Sequence, residues 1–170
     1  RHPDGTLTRY TYANVADPLT SGQTALKTTV ETGAVDAAQF APAATGPVPA
    51  LTMGTRTETV TNAFEKVIDA KTWDIASGLL IEQAVATAVD AVGRPTHIIH
   101  DGDPDDFENF TFACCGVKTH RARDGSLTDY TKDALDRPTI TLVTPGPKTT
   151  PTGHTYTTET LGVRTVPKIT

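Results

Sequence analysis

The stretch Val89-Asp90-Ala91-Val92-Gly93-Arg94-Pro95-Thr96 decides the fold, because it joins two β-forming segments through an acidic residue, two spacers and a glycine. A second clear copy is Lys132-Asp133-Ala134-Leu135-Asp136-Arg137-Pro138-Thr139. Weaker copies lie at residues 73–80, 110–116 and 158–165, and the acidic positions are 16 to 26 residues apart. Self-similarity at a roughly fixed period is typical of a repeat architecture. Two strands of about seven residues and two tight turns fill such a period.

The composition favours strands over helices. Threonine is abundant, leucine is sparse, and β-branched residues outnumber good helix formers, which is typical of pleated, half-buried segments. Twelve prolines and thirteen glycines separate short segments. Hydrophobic residues make up 37% of the chain and the mean hydropathy is -0.27, below the usual globular range without reaching the disordered class. We therefore predict an all-β protein.

Three regions are distinguished along the chain. Residues 1–17 are predicted to be a partial repeat strand pair, in which the strand alternation is lost at Ala13. Residues 18–52 are predicted to be an irregular, Pro- and Ala-rich insertion or junction, although Gln23–Thr32 has the pattern of a strand with polar faces. Residues 53–170 are predicted to be the repeat array.

The segment Leu79–Val89 is ambiguous between a helix and a strand. Its apolar residues fit one face of a helix, but Leu79, Ile81, Val85 and Val89 also share one face of a strand. The flanking turns lie at repeat positions. We therefore favour a strand here.

The recurring motifs of this chain resemble the YD repeat of the RHS protein family, whose pattern has the form Gly-x-x-x-x-Tyr-x-Tyr-Asp-x-x-Gly-Arg. The resemblance is carried by the stretches Tyr10–Tyr12, Val89–Pro95, Phe110–Phe112 and Tyr130–Pro138. Trp73–Leu80 looks like the family's variant with one extra small residue before the glycine. The resemblance covers roughly residues 53–170, with a partial match at 4–12. The chain departs from the pattern where Asp136 replaces the glycine and where Ala113 and Glu159 stand at the acidic position.

The resemblance implies consecutive antiparallel β-hairpins of YD-repeat type that form a spiral or elongated sheet. Members of the family build hollow shells around toxin domains, or stalks and barrels on cell surfaces. We therefore expect a structural scaffold of a secreted or surface-displayed protein, assembling edge to edge as a wall, stalk or filament segment. Its partner is expected to be a second copy or the rest of a longer RHS-like chain. The alternatives are a carbohydrate-binding surface module and a segment of a toxin-encapsulating shell.

Two sets of residues are candidate binding sites. A glycan platform would use the aromatic side chains Tyr10, Tyr12, Trp73, Tyr130 and Tyr156, for most of which core packing is the alternative. The acidic segment 101–108 offers oxygen ligands of the kind that Ca²⁺ prefers. Its candidate ligands are Asp101, Asp103, Asp105 and Asp106. Pro104 breaks the EF-hand pattern, so an ordinary hairpin turn is the alternative, and no other cofactor is expected.

Other chemistry is weakly indicated. Cys114 and Cys115 are adjacent and fill spacer positions before a turn glycine, so we expect turn residues rather than a disulfide framework. His97 and His100 should point to opposite faces of a strand, and His120 stands isolated. No phosphate-binding glycine loop, GxSxG or HExxH motif is present, and we expect no enzyme.

The charge balance bears on the class of partner. The net charge is -5, which argues against binding to nucleic acid or to an anionic membrane surface. No apolar run approaches the roughly 20 residues that a membrane-spanning helix requires. We therefore predict neither a nucleic-acid partner nor a membrane span.

Overall fold

The computed structural model describes residues 6–35, 50–114, 116–133, 135, 137–147, 156–161 and 164–169, with backbone alone for Pro138 and the last two ranges. The strands, in chain order, are β1 (Leu7–Ala16), β2 (Thr24–Val35), β3 (Leu51–Thr61), β4 (Val67–Asp74), β5 (Leu80–Val89), β6 (Pro95–His100), β7 (Asp103–Ala113), β8 (Gly116–Arg121), β9 (Leu127–Lys132), β10 (Pro138–Thr144), β11 (Tyr156–Leu161) and β12 (Arg164–Ile169). The described residues contain no helix, and hence none that could span a membrane. The all-β prediction is confirmed, and β5 confirms the choice of a strand for Leu79–Val89.

The first ten strands form one sheet in chain order, each pairing antiparallel with the next. β11 and β12 form a separate antiparallel hairpin. The ten-stranded sheet is therefore a meander of antiparallel strands, joined by short turns except between β2 and β3, which residues 36–50 separate. β2 lies within the region 18–52 and is a full member of this sheet.

The two faces of the sheet differ in chemistry. On the side that we call the threonine face, Tyr10 and Tyr12 of β1 stand beside threonines of neighbouring strands, and the hydroxyls of Thr57 and Thr72 approach to 3.3 Å. The opposite side, the ion-pair face, carries pairs of opposite charge: Arg9–Glu31 and Lys27–Glu58 cross from one strand to the next, and Arg56–Glu58 and Lys71–Asp69 run along a single strand. Its members on the first four strands are Arg9, Lys27, Glu31, Arg56, Glu58, Asp69 and Lys71. Such cross-strand pairs each contribute a few tenths of a kcal/mol to about 1 kcal/mol.

Very little of the described chain is a hydrophobic core. Only Ala25, Ile68 and Ala86 are buried apolar residues among the described positions. The accessible surface is 11232 Å², against about 8,000 Å² for a compact monomer of this size. A single layer of strands leaves both faces open to water, so the backbone ladders, side-chain pairs and turns must supply the cohesion.

The Asp90 turn, residues 90–94 between β5 and β6, shows how the motif of an acidic residue, two spacers and a glycine closes a hairpin. The Asp90 amide donates to the Arg94 carbonyl at 2.9 Å, and the Gly93 amide donates to the Asp90 carbonyl at 3.0 Å. The Asp90 Oδ1 accepts from the amides of Val92 and Arg94, and its Oδ2 accepts from Arg94 Nε at 2.7 Å. Gly93 has φ +73°, a left-handed conformation that glycine adopts at least cost. The carboxylate therefore stabilises the turn by accepting hydrogen bonds from its backbone amides and from the Arg94 side chain.

Four other turns share this geometry in whole or part. Asp133 accepts from the Arg137 amide and from Arg137 Nε. The Asp74 turn contains one more residue and places Gly78 at φ +71°. Two turns lack the acidic residue: Asn62 to Lys66 and Ala122 to Ser126 close with the same pair of backbone hydrogen bonds. The motif of an acidic residue, two spacers and a glycine therefore identifies only some of the turns that share this backbone geometry.

Turns at the same end of the sheet are linked to one another. Asn62 is 5% exposed, and its Nδ2 donates to the Gly93 carbonyl of the next turn at 2.7 Å. Arg94 lies 4.2 Å from the ring of Phe112, and its Nη1 donates to the Ala113 carbonyl at 3.5 Å. These links run from the β3–β4 turn through the β5–β6 turn to the end of β7. They hold alternate hairpins in register where the sheet has no second layer.

The first strand departs from the prediction. Its alternation was predicted to end at Ala13, but β1 continues to Ala16 and pairs with β2 throughout. The turn comes at Asp17 instead, where Oδ1 accepts from the amides of Leu19 and Thr20 at 2.8 and 3.1 Å. The prediction was wrong because cross-strand pairing keeps Asn14 and Val15 extended opposite Leu26 and Ala25 of β2, even though their side chains do not continue the alternation.

Candidate functional site

The outer edge of β1 is one of the two unpaired edges of the ten-stranded sheet. Tyr10 and Tyr12 lie on it, side by side on the threonine face, with 60% and 64% of their surface exposed. Thr11, between them, is exposed on the ion-pair face. No described strand pairs with this side of β1. The edge thus combines backbone hydrogen-bonding groups with two aromatic side chains.

The predicted glycan platform is not assembled on one surface. Trp73 lies on the ion-pair face, where the Arg56 guanidinium stands 5.2 Å from its ring. Tyr130 shares the threonine face with the β1 tyrosines but lies on β9, eight strands and roughly 35–40 Å away. The side chain of Tyr156 falls outside the described residues. Only Tyr10 and Tyr12 are brought together.

The acidic segment forms a tight hairpin turn whose carboxylates are engaged by protein groups. Asp101 and Gly102 adopt φ +51° and +74°, as the two-residue turns that suit twisted hairpins require. Asp101 Oδ1 accepts from the Gln83 amide at 3.0 Å, and its Oδ2 lies 3.3 Å from Arg123 Nη2. Asp106 accepts from Arg123 Nε at 3.0 and 3.1 Å. The guanidinium ties the β6–β7 turn to the β8–β9 turn.

The remaining proposed calcium ligands lie on the same hairpin. Asp103 Oδ1 accepts the Asp105 amide at 2.9 Å. Within the part of the chain that the structure describes, no three His, Cys, Asp or Glu side chains are placed to hold a metal ion together. The Ca²⁺ site stays a prediction, and an ion at Asp101 and Asp106 would have to compete with Arg123 for the same oxygens.

A histidine–glutamate cluster on β6, β7 and β8 was not predicted. The Glu108 carboxylate accepts hydrogen bonds from His100 Nε2 at 3.0 Å and from His120 Nε2 at 2.9 Å through separate oxygens. The Phe110 ring stacks on His120 with centroids 4.4 Å apart. His100 is 8% exposed and its Nδ1 has no partner among the described groups. The cluster clamps three adjacent strands on the threonine face.

No sequence signal pointed to this cluster, since its members are 8 and 12 residues apart on separate strands. His97 and His100 lie on opposite faces of the sheet, as expected for two residues three positions apart on a strand. His97 bonds to Asn109 on the ion-pair face, whereas His100 lies on the threonine face. Cys114 is exposed in the β7–β8 turn, as predicted for a turn residue, and Cys115 lies outside the described positions.

The turn carboxylates have altered acidities. Hydrogen bonds from the Arg137 guanidinium and amide lower the pKa of Asp133, and the Ser77 hydroxyl and amide lower the pKa of Asp74. Desolvation works to raise the pKa of Asp90, but hydrogen bonds from the Arg94 amide and guanidinium outweigh it, and the net pKa is lowered. Each carboxylate thus holds its proton less tightly when its turn is formed.

Acid is therefore expected to weaken the sheet through these turns. Because the folded-state pKa values are depressed, the unfolded chain takes up protons first as the pH falls, so stability is retained above about pH 5 and lost progressively below it. In urea titrations between pH 7 and about pH 3, the triple variant Asp74→Asn, Asp90→Asn, Asp133→Asn should lose less stability than the wild type.

Asp129→Asn is the control for this titration, because Asp129 lies on β9 outside the turns. Its acid dependence should match that of the wild type. Parallel curves for the wild type and the triple variant would show that the turn carboxylates do not cause the acid sensitivity.

Comparison with known proteins gives no relative for this architecture: no family model, no curated protein and no solved structure matches the chain.

Proposed function

We propose that this chain is a structural segment of an RHS-like β-repeat protein outside the cell, and that it builds a wall, stalk or filament by joining its sheet edge to edge with further copies. In a longer chain the neighbouring repeats would continue the same sheet. The observation that carries the proposal is the exposed edge strand of a one-layer sheet. The role is mechanical, since the described polar side chains mainly bind one another.

The shape of the sheet supports a scaffold role. A protein that binds small molecules usually encloses a largely apolar concave pocket, whereas here three small or medium apolar side chains are all that the described residues bury. Both faces carry paired polar groups, and growth in the direction perpendicular to the strands needs no change in either face. A sheet of this kind can be lengthened by adding hairpins or copies.

The turns support the likeness to YD repeats. The family pattern places an acidic residue three positions before a glycine and follows the glycine with arginine. Asp90, Gly93 and Arg94 each have a separate task in the turn: accepting amides, adopting positive φ, and pairing with the carboxylate. Asp133 and Arg137 repeat the ion pair. The pattern therefore has a physical reason in this chain.

The assembly is tested by measuring mass in solution against concentration. Light scattering after size-exclusion chromatography should give species heavier than the 18.0 kDa chain, and negative-stain microscopy should show extended particles. Charge on an edge strand opposes edge pairing, so Tyr10→Lys with Tyr12→Lys should shift the protein toward the monomer by at least about tenfold in dissociation constant.

The matched control places the same charges on an interior strand. Leu80 and Ile81 of β5 are 45% and 57% exposed, and Leu80→Lys with Ile81→Lys should leave the mass unchanged. A monomer at every concentration would refute the assembly. Equal dissociation by the interior variant would refute the role of the edge.

A further inference from the structure

We propose that β1 pairs antiparallel with β1 of a second copy about a twofold axis at Thr11, so that Tyr10 of each copy faces Tyr12 of the other. The inference rests on the proposed edge-to-edge assembly and specifies its edge, partner and register. The product is a pair in which two ten-stranded sheets become one continuous sheet, and it is the first step of that assembly.

The edge of β1 lacks the features that keep edge strands apart. Its ten residues pair with β2 without a register shift, whereas bulges or irregularities interrupt each strand pair from β2–β3 to β7–β8. It contains no proline. Its single charged residue, Arg9, is turned inward to Glu31 with Nε 2.7 Å from Oε2. Bulges, prolines and outward charges are the usual protection against edge pairing.

The opposite end of the ten-stranded sheet is protected. β10 begins with Pro138 and has an irregular register with β9 between Pro138 and Ile140. Proline at a strand edge and a local bulge both oppose addition of another strand. A second copy therefore finds its best match in β1 and not in β10, so the preferred contact between copies is a twofold β1 pair.

The sequence of β1 is complementary to itself in this register. With the axis at Thr11, Arg9 faces Ala13 of the second copy, and two Tyr10–Tyr12 pairs form on the threonine face. A twofold axis perpendicular to the sheet must pass midway between the two copies of one residue. Only then do side chains that face each other across the interface lie on the same face of the sheet. An axis at Arg9 would place two guanidinium groups opposite each other, and like charges directly opposite destabilise strand pairing.

The aromatic pairs explain the exposure of both tyrosines. Tyr10 and Tyr12 are the residues of β1 with the largest apolar surface, and more than half of each is open to water. Aromatic pairs across adjacent strands are favourable contacts, and edge pairing adds the backbone hydrogen bonds that strand addition uses for affinity. The same strand thus carries both the backbone ladder and the side chains for one interface.

Disulfide trapping tests the register. In a background of Cys114→Ser and Cys115→Ser, Thr11→Cys places one thiol on the axis, where opposite Cα atoms are about 4.5–5.5 Å apart and can be bridged. Mild oxidation should convert most of the protein to a dimer of twice 18.0 kDa on a non-reducing gel.

The control is Thr29→Cys in the same background. Thr29 lies directly opposite Thr11 on β2. Its side chain is therefore on the same face of the sheet, one strand further from the edge. Two copies would hold these positions about 14 Å apart, too far for a disulfide. Thr11→Cys should therefore cross-link at least about tenfold more than Thr29→Cys. Adding Tyr10→Lys and Tyr12→Lys should abolish the cross-link.

The outcomes separate this inference from the function on which it rests. If the chain assembles by mass but Thr11→Cys does not cross-link, the register is wrong while edge-to-edge assembly stands. If both variants cross-link equally, collision explains the result and the inference falls. If the chain stays at 18.0 kDa without cross-linking, both ideas are refuted.

Discussion

Gly93→Ala should lower the free energy of unfolding by about 2–5 kcal/mol. Gly93 has φ +73°, and a methyl group there would lie 2.3 Å from Cδ2 of Phe64 and 2.9 Å from Nδ2 of Asn62. The left-handed conformation costs a non-glycine residue roughly 1–2 kcal/mol, and forced packing adds roughly 1–3 kcal/mol. The Asn62 side chain would also be pushed from the Gly93 carbonyl, so the link between two turns is lost.

Gly78→Ala is the matched control. Gly78 has nearly the same conformation, φ +71°, but nothing lies within 4 Å of the position of an added methyl group. It should cost only the conformational part, about 1–2 kcal/mol. Urea unfolding of both variants, followed by circular dichroism, measures the difference. Equal losses would mean that the contact between the two turns contributes nothing to stability.

Asn62→Ala is expected to have a comparable effect, about 2–4 kcal/mol, through hydrogen bonds alone. Asn62 donates to the Gly93 carbonyl, and its Oδ1 accepts from the amides of Phe64 and Lys66, each at 3.0 Å. Alanine leaves three backbone groups without these partners, of which the Gly93 carbonyl makes a buried hydrogen bond and the two amides make part-buried ones. Unmade hydrogen bonds at buried groups cost more than the net gain of making them.

The control for Asn62 is Asn14→Ala, an exposed asparagine of β1. It should change the free energy of unfolding by less than about 0.5 kcal/mol. Thermal and urea unfolding of the two variants provide the measurement. A cost below about 1 kcal/mol for Asn62→Ala would contradict the idea that links between turns replace a hydrophobic core.

Local chemistry explains which parts of the fold were predictable. The turn at Asp90 and the longer turn at Asp74 follow from an acidic residue, a glycine and their spacing, and the turn at Asp133 follows from the acidic residue and the arginine four positions later, because the hydrogen bonds that close these turns are local. The Asn62 turn has the same backbone, but Glu65 adopts φ +59° where glycine is expected. The sequence did not predict this turn, because a glycine is the usual sign of a left-handed conformation and none is present.

The rest depends on pairing between strands. The link from Asn62 to Gly93 spans 31 residues, and the cluster of His100, Glu108 and His120 exists only because three strands meet in one register. Strand register is set by bulges and by cross-strand packing, which a single sequence does not display. The division of the aromatic residues between two faces has the same origin, because a one-residue shift moves a side chain to the other face.

The order of the strands has a consequence for how the chain is made. Since every strand of the ten-stranded sheet pairs with its sequence neighbours, no hairpin waits for a distant segment, and the longest connection to be closed is residues 36–50 between β2 and β3. The amino-terminal hairpins can form while later ones are still being synthesised. A chain of this topology can thus fold by growing from one end, and a hairpin gained or lost during evolution would leave the completed portion intact.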